Sequence, residues 1–222
     1  MSYNKEGLLL SFEGQDGSGK STLLELVGAT LQENGHKVEI VPEFSERVIG
    51  SYLVNQLTEN KFLRMNRDGA SALTETLYIV ADLYSQDEFD IKPALAQGKI
   101  VLKERHLDSI FACQIPKILA DYPDRREGEL TGWLDSLCSS LKEPDLTVFL
   151  DVPEIELRNR IVGRGEAISE SDITVFKSRQ AIYDRIATTG LKRWMRTDNQ
   201  HSPDRTAEVI IRKVEEILSS QP

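Results

Sequence analysis

Apolar positions along the chain fall into two kinds of segment. Short, nearly unbroken runs at 8–12 (LLLSF), 38–41 (VEIV), 100–102 (IVL) and 146–152 (LTVFLDV) have strand length, and 191–196 (LKRWMR) is a weaker fifth. Between them, 19–34, 70–96, 109–120, 129–140, 154–162 and 172–187 repeat apolar residues at helical spacing. Ser202-Pro203 then places a capping hydroxyl and a helix-starting proline before DRTAEVIIRKVEEIL. Strands that are apolar on both faces must be covered on both faces. The alternation therefore predicts an α/β fold, a five-stranded parallel sheet flanked by helices on both faces. No internal repeat, low-complexity tract or Pro/Gly-rich linker divides the chain, so 1–222 is expected to form one domain. In such sheets ligands sit at the carboxyl ends of the strands, and chemistry is to be sought directly after each run.

Composition narrows the partners. The chain has 222 residues, 40% of them hydrophobic and 28% charged, with a formal net charge of -9. That acidic balance disfavours broad binding to nucleic acid or to an anionic membrane and leaves room for a local basic pocket. The opening MSYNKE has no apolar signal core, no stretch approaches a membrane span, and Cys113 and Cys138 lack metal spacing and read as buried free thiols. A cytoplasmic protein with no nucleic-acid or membrane partner is expected.

Directly after the first run, GQDGSGKS (14–21) fits G-x-x-x-x-G-K-[ST] without a mismatch. Gly14, Gly17 and Gly19, with Asp16 and Ser18 between them, let the backbone curl until successive N–H groups converge on phosphate oxygens. The helix that follows adds the positive end of its dipole. Lys20 would reach the terminal phosphates, the Ser21 hydroxyl would hold Mg²⁺, and Thr22 continues the same turn; ATP and Mg²⁺ are the expected ligands of this P-loop. The motif is silent about the acceptor. A kinase needs a second pocket, and a non-catalytic nucleotide sensor needs the cradle alone. A GTPase switch needs a guanine reader such as Asn-Lys-x-Asp, and the nearest stretch, Asn60-Lys61-Phe62-Leu63, lacks the Asp.

Two further segments carry charge suited to phosphate. The third run leads into Glu104-Arg105-His106, and Asp108 and Ser109 open the next helix. A carboxylate there can bind a Mg²⁺-ligated water or take an acceptor proton, and the guanidinium can clamp phosphate bidentately. In RNRIVGRGEAISESD, Arg160 and Arg164 lie four apart on one helical face, and Gly163 and Gly165 would serve as hinges of a lid near 160–172. Such a lid closes arginines over the transferring phosphoryl group. The plain alternatives are a surface salt bridge at 104–105 and a solvated arginine face.

The order of these motifs resembles the thymidylate kinase family. The resemblance is carried by ETLYIVADLYSQDEFDIKPALAQGKIVLKERHLDSIFACQ (75–114), by EPDLTVFLDVP (143–153), and by a P-loop preceded by Phe12-Glu13, over roughly residues 8–187. It implies the nucleoside monophosphate kinase fold, transfer of the ATP γ-phosphoryl group to dTMP with Mg²⁺, and a homodimer. It also implies that Asp16 touches the acceptor sugar or its metal waters and that Arg105 bridges donor and acceptor phosphates. Glu104 stands where the family usually has Asp, as a catalytic or metal-assisting carboxylate. With no arginine in the P-loop, Arg160 or Arg164 would supply it from the lid, alongside Lys20. Glu43, Arg47, Ile79 and Gln114 are the expected acceptor contacts. Three positions depart from the family pattern. Phe44 stands where an acceptor-phosphate arginine is often found, Ile79 replaces a stacking phenylalanine, and Leu83 replaces the base-reading arginine. A second resemblance, to deoxynucleoside kinases, rests on Glu104-Arg105 and on Glu43, which would there be the general base for a sugar hydroxyl.

Overall fold

The computed structural model describes residues 7–59, 63, 65, 69–189, 193–199 and 202–220. Its five strands are β1 (Leu8–Gly14), β2 (Val38–Val41), β3 (Ile100–Glu104), β4 (Leu146–Leu150) and β5 (Trp194–Thr197). They lie in the order β2-β3-β1-β4-β5 with every neighbouring pair parallel, which is the expected sheet. Of the fifth run, Leu191 and Lys192 lie outside the described residues.

Polar residues inside the strands explain where the expected ends were too short. β1 continues through Glu13, and β3 continues through Lys103, although both side chains are fully buried. A buried ammonium is tolerated only when its donors are all used. Lys103 Nζ donates to the carbonyls of Pro42 (2.6 Å), Glu43 (3.0 Å) and Glu104 (2.8 Å). Burial nevertheless pulls its pKa down to about 8, against the pull of Glu43 and Glu13. This lysine thereby ties the chain after β2 to the end of β3.

Nine helices cover the sheet among the described residues: α1 (Lys20–Glu33), α2 (Val48–Glu59), α3 (Ala72–Gln86), α4 (Lys92–Ala96), α5 (Leu107–Asp121), α6 (Glu127–Cys138), α7 (Glu154–Gly163), α8 (Glu170–Thr189) and α9 (Pro203–Ser220). Helices α1 and α9 bury Leu23, Val27, Ile210 and Val214 against Leu10 and Val148 on one face. On the other, α3, α5 and α8 bury Val80, Ile110, Ile115 and Tyr183 with Phe149. Both faces of the sheet are thus apolar interfaces.

The helix expected over 70–96 is broken by a π-helical turn, Asp87–Ile91, before α4 resumes it. Pro93 has no N–H to offer the regular ladder, and the wider turn lets Lys92 N–H reach Asp87 O instead. Helix α2 was not anticipated. Its apolar positions Ile49, Leu53 and Leu57 recur every four residues and pack on Phe44, Leu63 and Met65. Gly50 is required there, because a Cβ would fall 2.1 Å from Ser45 O. The thiols also differ from expectation: both are free, but Cys113 is only half-buried, while Cys138 lies in the core.

Candidate functional site

The loop from Gly14 to Gly19 leaves β1 through three positive-φ glycines, at 140°, 84° and 93° for Gly14, Gly17 and Gly19. Side chains are also barred sterically. A Cβ at Gly19 would lie 2.4 Å from Asn199 Nδ2, and one at Gly17 would lie 3.1 Å from Ile161 Cγ1. Helix α1 then begins with no side-chain cap and no acidic residue in its first turn. Its leading N–H groups and dipole are left for an anion. Lys20 is buried and arches back to donate to Gln15 O at 3.0 Å. Burial, reinforced by Arg105, pulls its pKa down to about 8, and Asp16, Glu104 and Glu43 oppose the shift. Ser21 Oγ donates to Glu104 Oε1 at 3.0 Å, which joins the loop to the end of β3. Thr22 is exposed in the same helical turn. Gln15 Nε2 donates to Phe176 O at 2.9 Å, fastening the loop to α8.

Arg105 is the centre of the site. Its φ of 53° is left-handed, a conformation that costs a non-glycine residue roughly 1–2 kcal/mol. The backbone is held there by its N–H bond to Phe12 O at 3.0 Å. The guanidinium donates to Gly14 O (3.0 Å), Ser109 Oγ (3.3 Å) and Asp16 Oδ1 (2.5 Å), and lies 3.3 Å from Glu43 Oε1. Burial opposes its charge, yet Glu43 and Asp16 hold its pKa well above the ordinary value. Asp16 also takes a 3.1 Å bond from Arg179. Burial pushes the Asp16 carboxyl up, but Arg105, Arg179 and Lys20 outweigh that and hold it well below the usual carboxylate range.

The two arginines of the expected lid, Arg160 and Arg164, occupy different places. Arg160, fixed by Glu156 at 2.9 Å, donates to Gly17 O (3.4 Å), Ser18 O (3.3 Å) and Asn199 O, so it grips the outer rim of the P-loop. Arg164 lies past the end of α7, exposed, and lines the cleft. Gly165, at φ 82°, turns the chain there, whereas Gly163 remains helical. Segment 160–172 thus comprises the end of α7, a short connection and the start of α8, anchored where Ile161 meets Ile173 and Phe176.

Beside the P-loop opens a cleft of about 240 Å³. Its charged wall carries Asp16, Glu43, Arg105, Arg164 and Arg179; its apolar wall carries Phe44, Leu57, Leu63, Ile79, Leu83 and Ile110. Gln114 lines it from α5 and is 2% exposed. Asp82 holds the loop after β2 in place, accepting from Ser45 N–H at 2.9 Å and Ser45 Oγ at 2.5 Å, and this sets Glu43 and Phe44 against the cleft. Arg47 is not brought in. It pairs bidentately with Asp90 at 2.8 and 2.7 Å and stacks over Phe89 at 5.4 Å. Sequence reasoning missed Arg179 altogether. A signal was present: it falls on the same helical stripe as Phe176 and Tyr183, where a charge calls for a reason to be buried.

Under the cradle, Glu13 accepts from His106 N–H at 2.8 Å and from Ser109 Oγ. Burial and the neighbouring Asp108 push its pKa up to about 7, with Ser109, Arg105 and His106 opposing.

A family model described as thymidylate kinase matches residues 12–210. A probable thymidylate kinase of Methanosarcina barkeri is 31% identical over 215 residues, covering 96% of this chain and 98% of its own. A thymidylate kinase of Thermomicrobium roseum is 28% identical over 215 residues, covering 94% and 95%. One of Ruegeria pomeroyi is 36% identical over 161 residues, covering 71% and 69%.

Proposed function

The chain belongs to the thymidylate kinase family, and on that footing we propose that it transfers the γ-phosphoryl group of ATP to dTMP, giving dTDP and ADP. The observation that carries this reading is the Asp16–Arg105–Glu43 chain, which joins the P-loop to a second cleft through one buried guanidinium. A nucleotide sensor has no use for such a cleft. The pairing of Glu43 with Arg105 also fits a positioning carboxylate better than a free base for a sugar hydroxyl.

Phosphoryl transfer has a loose transition state, so the protein contributes placement and charge rather than covalent chemistry. The α1 N–H groups and Lys20 hold the donor phosphates. Arg105 stands between the two phosphates, with Asp16 fixing its direction. Arg164 reaches the transferring group from the lid, while Arg160 keeps the P-loop rim in shape, a division supported by their different positions. Arg179 adds a second cation on Asp16. The pair Ser21 and Glu104 offers two hard oxygen ligands within one hydrogen bond of each other, which fits Mg²⁺. Bound there, Mg²⁺ supplies neutralisation of phosphate charge.

The acceptor nucleotide and a second copy of the chain are the partners in this reading, and one kinase domain with a lid near 160–172 is its architecture. Support for a homodimer is an uncharged, exposed face on α3 (Leu77, Tyr78, Ala81), continued by Val48 and Tyr52 of α2, with the Tyr52 and Tyr78 rings 5.5 Å apart. No helix among the described residues is long and apolar enough to cross a membrane, which is compatible with a cytoplasmic enzyme.

A coupled ADP-release assay across dTMP, dUMP, other monophosphates and free nucleosides tests the proposal. The expected result is the highest kcat/KM with dTMP; turnover of nucleosides alone, or of no acceptor, overturns it. Sedimentation of the same preparation is expected to return twice the chain mass.

A further inference from the structure

Asn199, just past β5, is 3% exposed and stands against the P-loop. The residue before it is moored to α9, where Thr206 Oγ1 donates to Asp198 O at 3.2 Å. Its own carbonyl accepts from Arg160 Nη2. From this fixed backbone the side chain reaches the loop, and Nδ2 donates to Ser18 O at 2.8 Å. The orientation of the carboxamide is not open. Ser18 O has only lone pairs to offer, so the end that meets it must be the amino group. Oδ1 is then left buried, with no hydrogen-bond partner among the described residues. An unmatched buried acceptor costs stability, so packing alone gives no reason for an asparagine here.

The contact matters for what lies on the far side of the peptide it holds. The Ser18–Gly19 peptide is trans, so its carbonyl and its N–H point to opposite sides. With Ser18 O turned out towards Asn199, the Gly19 N–H is turned in, to the side where the leading N–H groups of α1 gather. Turning this peptide over would exchange the two and present the phosphates with a carbonyl. Gly19 does not forbid that. Its φ of 93° lies in a region that glycine occupies about as readily as the negative one, so the loop's own covalent structure does not select the cradle form. Two donors hold Ser18 O instead, Asn199 Nδ2 at 2.8 Å and Arg160 Nη1 at the longer 3.3 Å. The approach is close enough that a Cβ on Gly19 would fall 2.4 Å from Asn199 Nδ2. This asparagine thus requires the glycine that it restrains.

The structure assigns Asn199 as a positioning residue that latches the Ser18–Gly19 peptide with its N–H facing the donor phosphates. The inference rests on the donor-site reading above. Asn199 acts through the peptide, so its loss falls on the phosphate chain of the donor. The acceptor cleft, which Asn199 does not line, is left as it was.

Titration calorimetry with Mg²⁺-tripolyphosphate, Mg²⁺-ATP and dTMP reads the latch apart from turnover. Asn199→Leu nearly keeps the side-chain volume and loses the donor; Asn199→Ala loses the donor without asking a leucine to fit. In both, tripolyphosphate and ATP are expected to bind about 10-fold more weakly, with dTMP within about 2-fold of wild type. Steady-state kinetics should follow, the KM for ATP rising about 10-fold while that for dTMP holds within about 2-fold. In the wild-type protein the Gly19 amide proton is expected to move downfield on adding tripolyphosphate, and the variants should lose that shift. A wild-type Gly19 amide that ignores tripolyphosphate overturns the inference, whatever any variant does. Folded variants that bind both polyphosphates as wild type does overturn it too. So does an equal loss of dTMP binding, because that loss would belong to the fold and not to the latch. A wild type that shows the Gly19 shift but fails to turn over dTMP would count against the proposed reaction and not against the role of Asn199.

Discussion

The proposed donor and acceptor halves of this site are built from different materials. On the donor side phosphate would meet mostly backbone: three positive-φ glycines, an uncapped helix start, and one lysine folded over its own loop. The acceptor side is a cleft of side chains drawn from segments as far apart as Phe44, Ile79, Gln114 and Arg179. A backbone cradle tolerates few alternatives, because its contacts depend on φ and on missing Cβ atoms. A side-chain cleft can change its chemistry one residue at a time while the scaffold stays fixed.

The sharpest way to break this contrast is at the donor side's one essential side chain. Lys20→Ala removes the charge aimed at the transferring phosphates, and the expected loss in kcat is about 10³-fold, read in the ADP-release assay. Its thermal melt should remain cooperative, since the deletion relieves a buried charge whose pKa already sits at about 8. A kcat within tenfold of wild type would mean that backbone amides alone carry the donor half.

Arg179 tests the other side. It shares Asp16 with Arg105, so its removal leaves that carboxylate with one arginine instead of two. For Arg179→Met the expected cost is about 100-fold in kcat/KM for dTMP, with the KM for ATP less affected. Equal effects on both substrates would show that Arg179 serves the Asp16 junction rather than the acceptor wall.

What could be read beforehand follows the same division. The parallel sheet, the cradle, and the strand end at Glu104-Arg105 each announce themselves within a dozen consecutive residues, by apolar runs or by glycine spacing. The pairing of Ser21 with Glu104 needed only the rule that strand ends converge. Proximity in sequence to Phe44 says nothing about the direction of Arg47, which pairs with Asp90 on the π-helical turn. Lys103 and Glu13 hid the true strand ends, since a charge inside an apolar run normally marks a boundary. Their burial depends on carbonyls and donors supplied by remote segments, Pro42 and Glu43 for one, His106 and Ser109 for the other. Arg179 was missed for the same reason, as its partner Asp16 lies 163 positions away.

Glu13 is where the two halves meet, and it yields the smallest effect. It belongs to the strand under the cradle, yet its partners His106 and Ser109 line the cleft and Tyr183 comes from α8. Its folded pKa, about 7, lies above the ordinary 4.5, with burial the largest cause and Asp108 the next. The native state therefore keeps a proton that the unfolded chain releases from about pH 4.5 upward. Stability from this group is present below that value, is lost as pH rises towards 7, and stays lost above it. Glu13→Gln cannot ionise and keeps an acceptor for the His106 N–H. The variant should match wild type near pH 4.5 and exceed it at pH 8 by on the order of 1–3 kcal/mol, a rise of several degrees in melting temperature. Melts at both pH values check this. A difference that does not grow with pH would show that Glu13 holds no more of a proton in the native state than in the unfolded chain.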